Sequence, residues 1–312
     1  NSYATWLLGF GVLVGVGIGF GYSSATPPAL KWFPPAKTGL VAGIVVAGFG
    51  LAPVYLAPTS QYLLANFGLQ KSMLIFGVAF VAIVTSLAQM LKNPPAGFIA
   101  APQNPSATAA PTVSASATPG EMLRSPIFYL LWTIYAIGAG AGLMVIGSVS
   151  GMAKKSMGAR AFIAVAVMAV GNAGGRIVAG ILSDKIGRRW TLMLVLTAQA
   201  ALMFAAIPIT ADKDALPLVV VLLATGIGFN YGANLALFPA FTKDFWGLKS
   251  FGMNYGVLFT AWGVGGFVFP KVQQVLTASS GGSFQVAFTL AGAVLLFGAA
   301  LTLFIKPQKS KS

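Results

Sequence analysis

The sequence contains neither cysteine nor histidine, and only 5 of its 312 residues are acidic. Without cysteine the chain can form no disulfide bond and perform no thiol catalysis, and without histidine it lacks the commonest metal ligand. All five acids fall in segments that we predict to be loops, so no acid, histidine or cysteine within an apolar segment supplies a base or a nucleophile. We therefore expect no enzymatic activity, no bound metal and no cofactor.

Apolar residues dominate the composition. They make up 57% of the chain, glycine contributes 38 residues, and charged residues together account for only 8%. Apolar runs of about 20 residues or more recur along the sequence, long enough to cross the hydrocarbon core of a bilayer. Such runs must be helical, because hydrocarbon offers backbone groups no other hydrogen-bond partner. The sequence predicts an all-α polytopic membrane protein in contact with the lipid bilayer.

Nine such runs are separated by short polar segments and by one longer segment. The longer segment, Lys92–Gly120, is rich in Pro, Ala, Ser and Thr and has too little apolar surface to fold. It predicts a partial N-terminal helix bundle (1–91), a flexible cytoplasmic linker (92–125), a six-helix bundle (126–305) and a tail (306–312). The predicted spans are Tyr3–Ala29, Gly39–Asn66, Lys71–Leu91, Pro126–Val149, Ala161–Leu182, Trp190–Thr210, Leu216–Phe241, Phe251–Leu276 and Phe284–Ile305.

The formal net charge of +14 sets orientation and does not indicate a nucleic-acid partner, because the basic residues lie in loops and form no basic face. Twelve of them fall in alternate loops and five in the loops between. The positive-inside rule places the first set in the cytoplasm, although Lys154 and Lys155 oppose this orientation. We expect a protein of the inner (plasma) membrane whose C-terminal tail is cytoplasmic.

Arg176 is the one basic residue well inside a strongly apolar segment. An arginine at the centre of a membrane helix costs about 2.5–3.5 kcal/mol on insertion scales and cannot lose its proton. Asn172 lies one turn earlier on the same helix face, and glycines at 171, 174 and 175 leave space beside it. This pattern indicates an anion site. The alternative is an arginine paired with a carboxylate on another helix.

An internal repeat relates the first and seventh predicted helices. Gly17–Tyr22 reads GIGFGY and Gly226–Tyr231 reads GIGFNY, so five of the six residues are identical. Chance similarity between glycine-rich helices is one explanation. The other is a pair of parallel six-helix repeats, in which these two helices are equivalent. This interpretation predicts a twelve-helix protein from which the first three helices are missing in the sequence.

A ten-residue motif follows the Arg176 helix. Gly180-Ile181-Leu182-Ser183-Asp184-Lys185-Ile186-Gly187-Arg188-Arg189 resembles the loop signature of the major facilitator superfamily, G-x-L-x-D-x-x-G-R-R/K. Gly187 would reverse the chain between two helices. The resemblance implies that Gly180, Asp184, Gly187, Arg188 and Arg189 form a cytoplasmic gate motif. Alternatively, Asp184 is simply a helix cap and the arginines are simply orientation charges.

Within that superfamily the chain resembles the oxalate–formate antiporter family, which is related to the monocarboxylate transporters. The resemblance rests on Lys31–Pro34, Gly120–Pro126, the Arg176 helix, Ala236–Pro239 and Asn254–Gly256. It implies that Arg176 binds a substrate carboxylate and that aromatic side chains enclose the substrate. The aromatic residues at matching positions are Tyr22, Phe49, Tyr231 and Phe259.

Two departures from the family pattern bear on selectivity and coupling. Trp262 stands where the antiporter has a second binding cation, a lysine, and so favours monocarboxylates such as lactate, pyruvate or formate over oxalate. Asn172 stands where monocarboxylate transporters often have an aspartate that can carry a proton. Any one of Phe49, Tyr231 and Phe259 could also be ordinary helix packing.

The resemblance implies a monomeric secondary transporter working by alternating access, with a small organic anion as substrate. A dicarboxylate antiporter of the oxalate/formate type and an anion receptor of the same fold remain alternatives at this point.

Overall fold

The computed structural model describes residues 3–95, 97–98, 117–157, 161–211 and 216–306. Throughout these ranges the chain is almost entirely helical, with no β-strand in the described residues. We number its helices in chain order. They are α1 (Tyr3–Trp32), α2 (Thr38–Ala88), α3 (Pro119–Leu123), α4 (Pro126–Met157), α5 (Ala161–Ile186), α6 (Arg188–Ala211), α7 (Pro217–Trp246), α8 (Phe251–Ser279) and α9 (Gln285–Leu301).

Seven helices in the described part of the chain are long and apolar enough to cross a membrane. α2 counts once among them although it covers two predicted spans. The eighth predicted span, α8, is not among them. It carries Asn254, Lys271 and Gln273, but its 29 residues still extend for about 43 Å. The prediction of an all-α polytopic membrane protein is confirmed.

α2 differs from the predicted pair of spans because the loop expected between them is helical. Gly68 alone leaves helical geometry, with φ 69° and ψ 176°, and it divides the 51-residue helix into two segments. A positive φ is strained for residues with a Cβ atom, so glycine suits this break. Lys71, predicted to lie at a loop, is therefore in the first turn of the second segment.

The end of the predicted flexible linker is ordered instead. Thr118 and Glu121 form a capping box that starts α3, and the side chain of Met122 is fully buried. The Ala117 carbonyl accepts a hydrogen bond from Asn254 Nδ2 at 2.9 Å, and its N–H donates to the Trp246 carbonyl at 3.2 Å. Most of the predicted linker (99–116) and most of the tail (307–312) lie outside the described residues.

Helices α4–α9 pack into one core with α1 and α2 against one side of it. Close contacts between α5 and α7 depend on glycine: a Cβ atom at Gly175 would lie 1.9 Å from the Phe229 carbonyl oxygen, and one at Gly232 would lie 2.0 Å from that of Asn172. Small residues allow such approach of membrane helices. The core side chains include Leu131, Ile134, Leu192, Leu196, Phe288 and Leu295, all fully buried.

α2 and α5 also meet through glycines, in a contact that we call the seam. A Cβ atom at Gly39 would lie 2.4 Å from the Gly180 carbonyl oxygen, and one at Gly43 would lie 2.4 Å from that of Arg176. At Gly50 a Cβ atom would lie 3.0 Å from the Ala173 nitrogen. The seam thus runs from the α5–α6 turn past Arg176 to Ala173 and holds the first segment of α2 against α5.

Candidate anion-binding site

Arg176 lies in the middle of the membrane-spanning part of α5, ten residues before the helix ends and so roughly 15 Å inside it. Its side chain is 4% exposed. Nε donates to Asn172 Oδ1 at 2.9 Å, and Nη1 donates to the Val46 carbonyl oxygen at 2.6 Å and to the Tyr22 hydroxyl at 3.4 Å. Three helices, α1, α2 and α5, therefore hold the guanidinium.

The charge of Arg176 has no carboxylate partner in the part of the chain that the structure describes. The two described ion pairs join Arg188 to Asp184 and to Asp244. The acceptors that Arg176 does have are neutral, and no described residue accepts a hydrogen bond from its Nη2. A buried cation without a negatively charged partner carries a large electrostatic cost, which a bound anion offsets.

The aromatic side chains predicted from the sequence come together around the Tyr22 ring. The Tyr22 ring stacks on Phe49, with centroids 4.2 Å apart, and lies 5.3 Å from the Phe259 ring. Phe259 stacks on Trp262 at 5.3 Å. Trp262 Nε1 donates to the Tyr231 hydroxyl at 2.8 Å. These five residues form a continuous aromatic wall contributed by α1, α2, α7 and α8.

The glycines flanking Arg176 have different surroundings. Gly171 and Gly175 face α7, where a Cβ atom would lie within 2.7 Å of the Thr225 carbonyl oxygen and 1.9 Å of that of Phe229. A Cβ atom at Gly174 would meet nothing within 4 Å. Two of the three glycines therefore bring α7, which carries Tyr231, against the Arg176 helix, and only Gly174 leaves open space.

Three groups near the site are not among the residues predicted from the sequence. Tyr135 on α4 and Tyr255 on α8 are 0% and 3% exposed, and their hydroxyl oxygens lie 3.4 Å apart. Tyr255 stands four residues before Phe259 and seven before Trp262, a helical spacing that could have indicated it. Tyr135 has no comparable local signal, and the Val46 carbonyl is a backbone group that no side-chain pattern indicates.

The gate motif forms a second polar cluster, at the end of the seam. Asp184 lies in the last turn of α5 rather than in the predicted loop. Its carboxylate accepts hydrogen bonds from the backbone N–H groups of Gly39 and Leu40, both at 2.9 Å, in the first turn of α2. Arg188 Nη1 donates to Asp184 at 2.5 Å, and Arg188 Nε donates to Asp244 at 3.1 Å. A carboxylate here also complements the positive end of the α2 dipole.

The other motif residues have separate roles. Gly187 adopts a φ of 89°, the left-handed geometry expected of a chain-reversing glycine between α5 and α6. A Cβ atom at Gly180 would lie 2.3 Å from the Gly39 carbonyl oxygen, so this position needs glycine for the seam. Arg189 takes no part in the described ion pairs; its guanidinium lies 4.9 Å from the centre of the Trp190 ring.

Comparison with known proteins agrees with this architecture. The family model of the Major Facilitator Superfamily matches residues 1–270 and, in a second match, residues 162–312. An uncharacterised MFS-type transporter of Escherichia coli (strain K12), YhjX, is 30% identical over 272 residues, which is 85% of this chain and 63% of YhjX. The oxalate:formate antiporter of Oxalobacter formigenes is 27% identical over 96% of this chain and 69% of its own length.

A third relative is the apicoplast pyruvate carrier 1 of Toxoplasma gondii, 25% identical over 83% of this chain and 57% of the carrier. The chain thus spans only part of the length of these relatives, from 57% to 69%. Two findings establish the family: the family model matches most of the chain, and YhjX is 30% identical to it. The membrane-length helices of the structure agree with both. This chain is a multi-pass membrane protein that belongs to the Major Facilitator Superfamily, a family of transporters and not of enzymes.

Proposed function

We propose that the protein is a secondary transporter of small organic monocarboxylates, and that Arg176 binds the substrate carboxylate. The observation that carries this proposal is the buried guanidinium without a described carboxylate partner, beside a wall of aromatic rings. A carboxylate fits the planar fork of a guanidinium through two parallel hydrogen bonds. The apolar end of the same molecule would lie against Phe259 and Trp262.

Hydrogen-bond donors outnumber acceptors around Arg176, which favours an anion. The Asn172 oxygen, the Val46 carbonyl and the Tyr22 hydroxyl oxygen already accept from Arg176. The Tyr231 hydroxyl oxygen accepts from Trp262. The hydroxyl hydrogens of Tyr22 and Tyr231, like Arg176 Nη2, have no acceptor among the described residues. An ionised carboxylate only accepts hydrogen bonds and therefore complements this set.

A single cation favours one carboxylate over two. Among the described residues of the site, Arg176 supplies the only positive charge, and Trp262 donates one neutral N–H to Tyr231. The second carboxylate of a dicarboxylate would be desolvated without a cation to balance its charge, which costs several kcal/mol. The name of one relative specifies oxalate and formate, and the name of another specifies pyruvate. Both names support small carboxylates as the substrate class.

We further propose that the seam separates during transport, in an alternating-access cycle. The Asp184 carboxylate bonded to the first turn of α2 would hold this end of the seam closed, with Arg188 orienting it. We assign this end to the cytoplasm from the charge distribution of the loops.

Substrate counterflow in proteoliposomes containing the full-length protein tests the proposal. Labelled propionate should accumulate against unlabelled propionate, and Arg176→Ala should abolish both binding and accumulation. Arg176→Lys should recover little, because an ammonium group does not reproduce bidentate geometry. Lys271→Ala removes one positive charge at an exposed position of α8 and should change neither.

Unchanged affinity in Arg176→Ala would refute the anion site. Binding that depends on Arg176 but produces no counterflow would identify a receptor and refute transport.

A further inference from the structure

We propose that Tyr135 and Tyr255 form a second polar subsite, which recognises a hydroxyl group on the substrate and makes the protein selective for hydroxy monocarboxylates. This proposal rests on the proposed function, because it assumes that Arg176 holds the carboxylate of the same molecule. It concerns a pair of buried side chains that no other part of the proposed mechanism uses.

The pair lies next to the candidate anion site. The Tyr255 ring is 6.2 Å from that of Tyr22, whose hydroxyl lies 3.4 Å from Arg176 Nη1. The Tyr135 ring is 6.0 Å from Phe259, a member of the aromatic wall. One tyrosine comes from α4 and the other from α8. The pair therefore extends the aromatic wall to α4, which contributes none of its other residues.

Packing fixes the orientation of both rings. Tyr135 stacks face to face on Phe238, with centroids 3.8 Å apart and an interplanar angle of 8°. Tyr255 stacks on Phe251 at 5.7 Å. Both phenylalanines are fully or almost fully buried. The two hydroxyls are therefore held in place before any ligand arrives, which lowers the entropic cost of binding.

The hydroxyl pair leaves one donor and one acceptor oxygen unused. The two oxygens lie 3.4 Å apart, so one hydroxyl donates to the other. The accepting hydroxyl keeps a hydrogen for which the described residues offer no acceptor. The donating hydroxyl keeps an oxygen that accepts from none of them. Buried polar groups in folded proteins are nearly always paired, so this donor and this acceptor call for a partner.

A hydroxyl group matches what the pair offers, because it too has one donor and one acceptor. Its oxygen can accept from one tyrosine while its hydrogen is donated to the other, which closes a ring of three hydrogen bonds. A keto oxygen can only accept and leaves the second tyrosine oxygen unpaired. A methylene group pairs with neither. Water also donates and accepts, so a substrate hydroxyl can replace a water here without leaving a polar group unpaired.

Four three-carbon acids test the proposal: propionate, pyruvate, lactate and 3-hydroxypropionate. Each has one carboxylate. They differ in whether the rest of the molecule carries a hydroxyl group, a keto group or neither. In competition against labelled propionate on the full-length protein, at least one hydroxy acid should bind about tenfold more tightly than propionate, with pyruvate between them. The two hydroxy isomers also reveal at which carbon the subsite reads the hydroxyl.

Tyrosine-to-phenylalanine variants identify the residues. In Tyr135→Phe or Tyr255→Phe one hydroxyl remains, so the preferred hydroxy acid should lose its advantage over pyruvate. In the double variant all four acids should bind alike. Propionate affinity should stay the same throughout, which shows that each variant is folded. Tyr129→Phe is the matched control, since Tyr129 lies on α4 with 58% of its surface exposed.

The subsite is refuted if hydroxy acids bind no better than propionate, or if the variants change the affinities for all four acids equally. The second result would mean that the pair only supports packing. In either case, propionate binding that still depends on Arg176 would leave the proposed function standing. Failure of every acid to bind would instead refute the proposed function and this inference together.

Discussion

Arg176 Nη1 on α5 lies 2.6 Å from the carbonyl oxygen of Val46 on α2, so the proposed substrate-binding side chain is bonded across the seam. A substrate carboxylate is a stronger acceptor than a backbone carbonyl and competes with Val46 for the guanidinium donors. Binding would therefore weaken a contact that joins α2 to α5. This relationship offers a direct physical link between occupation of the site and separation of the seam.

The first prediction concerns Gly43, whose added Cβ atom would lie 2.4 Å from the Arg176 backbone oxygen. Gly43→Ala must push α2 away from α5, because the atom that the new Cβ would meet belongs to the backbone and cannot rotate away as a side chain could. We expect substrate affinity to fall about tenfold, because the shift moves Phe49 on α2 away from the Tyr22 ring on which it stacks and so opens the aromatic wall. Equilibrium binding to the full-length protein measures it.

Gly48→Ala is the control for this change, since a Cβ atom at Gly48 on the same helix meets nothing within 4 Å. It should bind substrate as the unmodified protein does. Equal affinities in the two alanine variants would show that close approach at the seam is unimportant for the site.

The second prediction concerns Asp184. The amides of Gly39 and Leu40 lie in the first turn of α2, where the helix itself offers N–H groups no acceptor, and Asp184 supplies one. Asp184→Asn removes the charge and one acceptor oxygen, so these amides should exchange with deuterium about tenfold faster or more. Hydrogen–deuterium exchange on a peptide that begins several residues before Gly39 and includes Leu40 measures the change.

Asp244→Asn provides the comparison for Asp184, because Asp244 pairs with the same arginine but its side chain is 40% exposed. We expect little change in exchange at Gly39 and Leu40 in that variant. If both variants accelerate exchange equally, the arginine network rather than the Asp184 carboxylate controls the seam.

The helices could be predicted from the sequence because long apolar runs leave the backbone no alternative in hydrocarbon. One short-range signal, the capping box of Thr118 and Glu121, contradicts the composition of the predicted linker. The segment before Pro126 looks unable to fold, yet Thr118 and Glu121 cap a one-turn helix whose Met122 is buried against the core. The capping box was present in the sequence, but the polar composition around it outweighed it.

The site was predictable only where its residues share a helix. Asn172 and Arg176 are four residues apart, so their contact follows from helical spacing. The contact between Tyr135 and Tyr255 joins helices that are 120 residues apart in the chain, and no local pattern encodes it. The role of Gly175 likewise depends on which helix packs against it, here α7 at Phe229.

The third prediction concerns the core of α4–α9. A Cβ atom at Gly138 would lie 2.0 Å from Asn234 Nδ2. Asn234 is fully buried, and neither of its side-chain polar atoms has a hydrogen-bond partner among the described residues. Gly138→Ala should lower the thermal midpoint by several degrees, from an overpacking cost of about 1–3 kcal/mol. A second change, Asn234→Ala, should restore most of it, because it removes the two closest atoms, Asn234 Nδ2 and Cγ, and breaks no hydrogen bond among the described residues.

Thermal unfolding of the purified protein in detergent measures these changes. Gly147→Ala on α4 is the control, since a Cβ atom there meets nothing within 4 Å. A double variant as unstable as Gly138→Ala alone would show that Asn234 does not cause the clash.

The last prediction concerns Trp262, which stacks on Phe259 and donates to the Tyr231 hydroxyl. Trp262→Lys would place a second cation beside the aromatic wall. A dicarboxylate would then have a partner for each charge, while a monocarboxylate would lose an apolar surface. Charge-assisted hydrogen bonds contribute about 1.5–3 kcal/mol, so the affinity ratio of oxalate to propionate should rise at least about tenfold. Trp262→Phe keeps an aromatic ring without the new charge and should leave oxalate weak. Competition assays on the full-length protein decide the matter: if oxalate displaces labelled propionate from the unmodified protein as well as lactate does, one cation is not what sets selectivity.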